Sequence, residues 1–250
     1  MKKYVSLSLV LMSACLVVSC KKKGGPTGPT TPATTYTITI VCSSNVLKIG
    51  ITETFTATYN GSDGSSAAIT TGVWGGDNSS VATVVEGTGQ VTIVGSGEVT
   101  IYVDYKGIRG TILIRGVPNY QGTWTGNFAV ASCTATGAIA AENYCNDYGI
   151  GKVIGTNLVL TQNGAAVQGQ GTIGNRTVSI SGSIRINGGV GLSSTPGVPL
   201  TEIRILIWDL FSTTPGICTG KVFEGLTKPP AIGEGGMEGN IQTLTRTSLF

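Results

Sequence analysis

Side chains that could do chemistry are few in this chain, and they are scattered. No histidine occurs in 250 residues. That removes the commonest general base, the commonest metal ligand and the Ser-His and Cys-His nucleophile pairs together. The C-terminal half carries Glu142, Asp147, Glu202, Asp209, Glu224, Glu234 and Glu238. Glycoside hydrolysis needs two carboxylates facing each other across a cleft, and no spacing among these acids suggests such a pair. Glu202 sits opposite in parity to Ile203, Ile205 and Ile207, so it is expected on the solvent side. The six cysteines lack close pairs, and without histidine they make no metal set. Asp77-Asn78 and Asn146-Asp147 lack EF-hand spacing. "GQGTIG" (169–174) fits G-x-G-x-x-G literally, yet it lies in a hairpin strand and opens no helix, which disqualifies it as a dinucleotide site. Gly169 and Gly171 are expected to let a strand bend. "GEGGMEG" (233–239) has neither a lysine nor a helix to cradle phosphate. The expectation is a protein with no catalytic residue, no metal and no cofactor.

Two cysteine sites remain. The first follows Met1-Lys2-Lys3, a short positive segment, and the apolar run Val5 to Val18. That run is shorter than the roughly 20 residues a membrane span needs, and it reads as a secretory signal over residues 1–19. Val17-Val18-Ser19-Cys20 resembles the bacterial lipobox. The resemblance implies cleavage before Cys20, a diacylglycerol on its thiol and an acyl chain on the new N-terminus. Cys15, after Met12-Ser13-Ala14, is a weaker match that would leave apolar residues exposed. Several acyl chains on one residue meet the two-signal requirement for stable anchoring, and Lys21 to Lys23 suit anionic headgroups. No aspartate follows Cys20, so the outer membrane is favoured if the cell is Gram-negative. Gly24 to Thr35, with three prolines and no periodicity, reads as a semi-extended spacer of roughly 35–40 Å. The second site is Cys133 and Cys145, expected to form a disulfide in an exported protein, with Cys218 able to pair with either or stay free. Between and after them Tyr144, Asn146, Asp147 and Tyr148 are types that contact sugars or protein surfaces, so the segment reads as a staple on a rim or as a stapled recognition loop.

What positions these groups is an all-β scaffold. Gly is abundant at 38, charged residues make up 12%, and no helical periodicity appears after residue 20. The net charge of +3 is misleading, because five of the 16 basic residues lie in the first 23 positions. Beyond them 11 basic residues face 13 acidic ones with no basic stripe, which argues against nucleic acid as a partner.

Residues 36–117 alternate in six or seven short strands, among them "TYTITIV", "ETFTATYN", "GQVTIVG" and "GEVTIYVDYKG", as a small sandwich does. Val91 and Ile93 share a face, as do Val99, Ile101 and Val103. Trp74 reads as filler between sheets, and Cys42 as a free thiol. "LKIGITETFTATYNGSDGS", "GVWGGDNSSVATVV" with Trp74 and Val81 to Val84, "GTGQVTIVGSGEVTIYVDYKG" and "TILIRGV" resemble the group 2 bacterial Ig-like domains of intimin- and invasin-type surface proteins. The resemblance covers about a third of the chain. It implies an Ig-like sandwich of the kind used as a stalk, spacer or adhesive module.

Val117-Pro118-Asn119 marks a boundary. Residues 118–250 then run as a meander of about eight strands punctuated by Asn163-Gly164, Gly174-Asn175 and Asn187-Gly188, pairs that suit primed hairpin turns. Val178, Ile180, Ile184 and Ile186 share one face with Gly182, and Ile203, Ile205 and Ile207 share another. Consecutive hairpins favour an antiparallel up-and-down barrel, with a second sandwich as the alternative. "GTWTGNF", "LVLTQNGAAVQGQGTI" and "IQTLTR" loosely resemble lipocalin-like barrels of bacterial lipoproteins. The expected protein is a lipid-anchored, non-catalytic lipoprotein facing the surface or periplasm, whose stalk presents a barrel to a glycan or a surface protein. The alternative is a barrel that carries a small hydrophobic ligand or inhibits a hydrolase. A roomy interior favours carriage and a filled one favours surface recognition. Neither ligand identity nor oligomeric state is legible.

Overall fold

The computed structural model describes residues 33–195, 203–228 and 233–249. The expected signal segment 1–19, Cys20, the spacer as far as residue 32, and Glu202 lie outside the described residues.

Ten short strands come first: β1 (Tyr36–Val41), β2 (Val46–Lys48), β3 (Thr52–Thr54), β4 (Thr56–Gly61), β5 (Ser66–Ala68), β6 (Val73–Gly76), β7 (Ala82–Val85), β8 (Gln90–Ile93), β9 (Gly97–Tyr105) and β10 (Ile108–Val117). They make three sheets, in the orders β1-β4-β5, β2-β10-β9-β6 and β3-β8-β7. Ten strands replace the six or seven expected because β2, β3 and β5 have three residues each, too few to register as a period. Alternation sets the packing. Val91, Ile93, Val99, Ile101 and Val103 are buried, while Thr92, Thr100, Tyr102 and Asp104 are half-exposed. Trp74 joins Phe55, Val91 and Ile114 in one core drawn from all three sheets.

Asp77 and Asn78 tie the turns around them. The Asp77 carboxylate accepts from the Thr100 backbone N–H at 2.7 Å, and Asn78 Oδ1 accepts from the Ser80 hydroxyl at 2.6 Å. The Thr100 N–H holds the Asp77 carboxyl below its ordinary range.

The second half contains β11 (Gly122–Ala135), two short helices α1 (Gly137–Ala141) and α2 (Tyr144–Asp147), then β12 (Val153–Asn163), β13 (Ala166–Ile173), β14 (Arg176–Ile184), β15 (Val190–Ser194), β16 (Ile203–Thr214), β17 (Ile217–Lys228) and β18 (Gly233–Ser248). Each strand pairs antiparallel with the next, and β18 returns to pair with β11. The result is a closed eight-stranded up-and-down barrel, which leaves no sheet edge to protect and rules out a second sandwich here. Gly174 and Asn175 form a two-residue hairpin between β13 and β14, with φ positive at Gly174 as a type II′ turn needs.

The barrel interior is filled by side chains. Trp124, Leu158, Leu192, Leu206, Trp208 and Leu244 are each at most 1% exposed. Both indoles are satisfied: Trp124 Nε1 donates to the Tyr120 carbonyl at 2.7 Å and Trp208 Nε1 to Thr156 Oγ1 at 3.1 Å. A Cβ on Gly171 would lie 2.7 Å from the Trp208 ring, and one on Gly169 would lie 1.9 Å from the Val159 carbonyl oxygen. The two glycines of "GQGTIG" therefore admit an indole and a close strand approach.

Two facing assignments are corrected. Ile205 and Ile207 point outward at 37% and 38% exposed, while Leu206, Trp208 and Leu210 fill the core. "IRILIWDL" is apolar on both parities, and the face carrying Trp208 buries more surface. Ile186 is 58% exposed because β14 ends at Ile184 and the chain turns there.

Sandwich and barrel keep separate cores but form one compact unit, residues 35–250. Because the barrel strands alternate in direction, the 164–165, 185–189 and 215–216 connections share one end with the entry segment 118–121. The sandwich meets that end. Val46 packs against the barrel core, Arg115 Nη2 donates to the Ile184 carbonyl at 2.5 Å, and Tyr120 Oη donates to the Gly188 carbonyl at 2.8 Å. Tyr120 is fully buried, which raises its phenol pKa.

Cys218 lies in the barrel core, where burial pushes its thiol to about 12. Cys42 is half-exposed, and its thiol is raised by partial burial and then by the Glu53 carboxylate. Mass mapping after native alkylation at pH 8 is expected to find Cys42 slowly modified, Cys218 untouched until denaturant is added, and Cys133 and Cys145 linked to each other.

Candidate site at the barrel mouth

The opposite end of the barrel carries the long β11–β12 connection and the Gly174-Asn175 turn. Thr136 opens α1, whose single buried side chain is Ile139. Asn143, at φ 56°, turns the chain into α2. Ile139, Tyr144 and Leu226 make a small core of their own, against which Cys133, Cys145 and Tyr148 pack. The helices therefore sit as a cap on the barrel rim.

The expected disulfide is present. Cys133, near the end of β11, is bonded to Cys145 in α2, 12 residues on. Closing a loop of that length removes about 3 kcal/mol of unfolded-state entropy in the chain-entropy model. A helix pair of five and four residues could not hold itself in water, so the bridge and the Ile139 cluster hold it. Lys228 also pairs with Glu142 across the rim.

Beneath the cap lies a carboxylate that is almost wholly buried. Glu224, on β17, is 2% exposed. Arg204 on β16 and Arg176 on β14 both reach its Oε1, the latter at 3.3 Å. Tyr148 Oη donates to Oε2 at 2.9 Å, and Arg176 Nη1 lies 3.4 Å from the same phenol oxygen. Lys152 Nζ donates to the Asp147 backbone carbonyl at 2.7 Å. Around this network opens a pocket of ≈ 530 Å³, within the range of ligand sites. Its walls include Asp147, Tyr148, Lys152, Asn175 and Arg176, with Val153 and Ile154 as an apolar strip.

The four residues singled out in the sequence divide here. Tyr144 is buried in the cap, its ring 5.0 Å from that of Tyr148. Asn146 and Asp147 are exposed, and Tyr148 spans cap and buried network. Sequence reasoning did not find Arg176, Arg204 and Lys152. One signal existed: Arg204 falls on the parity of Leu206 and Trp208, the parity of the core.

No family model and no curated protein matches this chain. Among solved structures, domains 5–6 of the S-layer protein SbsC align at 14% identity over 86% of this chain and all of that one, with a TM-score of 0.29. The site must be read from its own geometry. Among the described residues, no three His, Cys, Asp or Glu side chains gather as metal ligands.

Proposed function

We propose that this chain is an exported, lipid-anchored lipoprotein. In this reading the Ig-like domain (36–117) is a stalk, and the barrel domain (118–250) recognises a glycan or surface protein without catalysis. The observation that carries it is the placement of the cap. The sandwich, which follows the spacer in sequence, holds one barrel end, and the stapled cap with its pocket sits at the other. The cap thus lies at the barrel end that the sandwich leaves open.

The barrel is apolar inside, with Thr, Ser, Gln and Arg frequent outside, the reverse of a membrane-spanning barrel. That supports a barrel held off the bilayer by its tether. The filled interior supports surface recognition over carriage. Among the described residues Glu224 is held by two guanidinium groups and a phenol, an arrangement that supports a role in anchoring the rim.

Cys20→Ser is expected to abolish palmitate labelling and move the protein from the membrane to the soluble fraction, and globomycin to block maturation of the parent. Unchanged labelling would overturn the anchor. Substituting the exposed Asn146 and Asp147 by alanine is expected to reduce attachment of displaying cells to glycan-coated or host surfaces several-fold, with melting temperature unchanged. Attachment equal to the parent's would remove the cap from the recognition role.

A further inference from the structure

Two cationic side chains at the mouth keep donors that no described residue takes up. Arg176 and Lys152 line the pocket beside Asp147, and Glu224 holds Arg176 from beneath. Both side-chain hydrogen bonds of Arg176 run through Nη1 and are long, at 3.3 and 3.4 Å. Its Nε and Nη2 have no protein partner among the described residues, and 38% of the side chain is exposed. Lys152 spends its ammonium on a backbone carbonyl, not on a carboxylate.

We infer that the mouth pocket binds a sugar acid, with the ring carboxylate on the Arg176 guanidinium and the Lys152 ammonium. This rests on the recognition role proposed above and names the chemistry of the ligand. The guanidinium fork matches a carboxylate in two parallel bonds. Asp147 on the same rim disfavours a dianion such as a phosphate monoester, and both it and the Asn175 amide suit sugar hydroxyls. Val153 and Ile154, the former 65% exposed, offer an apolar strip to the C–H face of a pyranose. A volume of ≈ 530 Å³ accommodates one or two rings. Glu224 is a positioning residue: it draws Arg176 Nη1 inward, which leaves the other edge of the guanidinium for the ligand.

The test is titration calorimetry on the full-length mature chain with sialyllactose, oligoglucuronate and oligogalacturonate, each beside its carboxyl-reduced counterpart. These arms separate host-type from microbial or plant sources of the same chemistry. At least one acid is expected to bind while its reduced form does not, with affinity falling as NaCl rises. Arg176→Gln and Lys152→Gln should each weaken that binding about ten-fold or more, as loss of a charged hydrogen bond does. Lys152 is exposed and outside the Glu224 network, so its variant tests the site even if Arg176→Gln folds poorly. Equal binding of acid and reduced sugar would overturn the inference, as would silence from every acid at millimolar concentration. The recognition role is judged separately, by the attachment assay on the Asn146 and Asp147 variant.

Discussion

Glu224→Ala lowers the unfolding free energy by about 3 kcal/mol, because breaking a buried ion pair strands the partner charges in a poorly hydrated site. The carboxylate is the shared acceptor of Arg204, Arg176 and the Tyr148 phenol, and its side chain is wholly shielded from solvent. Of the two guanidinium groups Arg204 is the more shielded, at 18% exposed against 38% for Arg176. For a unit of some 200 residues the loss corresponds to roughly 6–12 °C in melting temperature. Urea unfolding followed by tryptophan fluorescence measures it. A double substitution, Glu224→Met with Arg204→Met, is expected to recover most of the loss, because an apolar pair of similar volume has no desolvation to offset. If Glu224→Ala unfolds at the parental midpoint, the network is a surface ornament, and Glu224 does not position Arg176.

Legibility from sequence depended on whether one strand face was polar. In β9 the alternation of Val99, Ile101 and Val103 with Thr100, Tyr102 and Asp104 has a single reading, and the fold agrees with it. In β16 both faces are apolar, so parity alone could not choose between Ile203, Ile205, Ile207 and Leu206, Trp208, Leu210. The choice is made by the partner strands, where Gly171 leaves space for Trp208 and Thr156 offers its indole an acceptor. Neither is visible from β16 itself. Barrel closure was legible from consecutive hairpins.

The mouth was legible only in part. Cys133 and Cys145 announced a staple, and the tyrosines and asparagine beside them announced a surface. The cationic side of the pocket comes from β14, from β16 and from the residue before β12, positions up to 52 residues apart. Only barrel closure gathers them, so no local motif could have shown them. Arg176 follows a Gly-Asn turn and looks like an ordinary solvated residue until Glu224 is seen to face it.

Trp208→Ala tests the recognition reading against carriage, with an expected cost of about 3–5 kcal/mol for emptying a fully buried indole site. Trp208 is 0% exposed, lies against Gly171, and donates its only N–H to Thr156 Oγ1. Thr156 survives the change, since its own hydroxyl still donates to the Thr172 carbonyl at 2.8 Å. The remaining loss is packing, and the barrel strands are closed on both sides and collapse little. An apolar void of that kind stays dry and takes up small apolar molecules. The parent is therefore expected to show no uptake of benzene-sized ligands or apolar fluorophores by thermal shift, while Trp208→Ala gains a stabilising response to them. The opposite pattern decides the matter the other way. A parent that co-purifies with an apolar molecule and melts lower once extracted would make the barrel a carrier, with Trp208 as a movable wall.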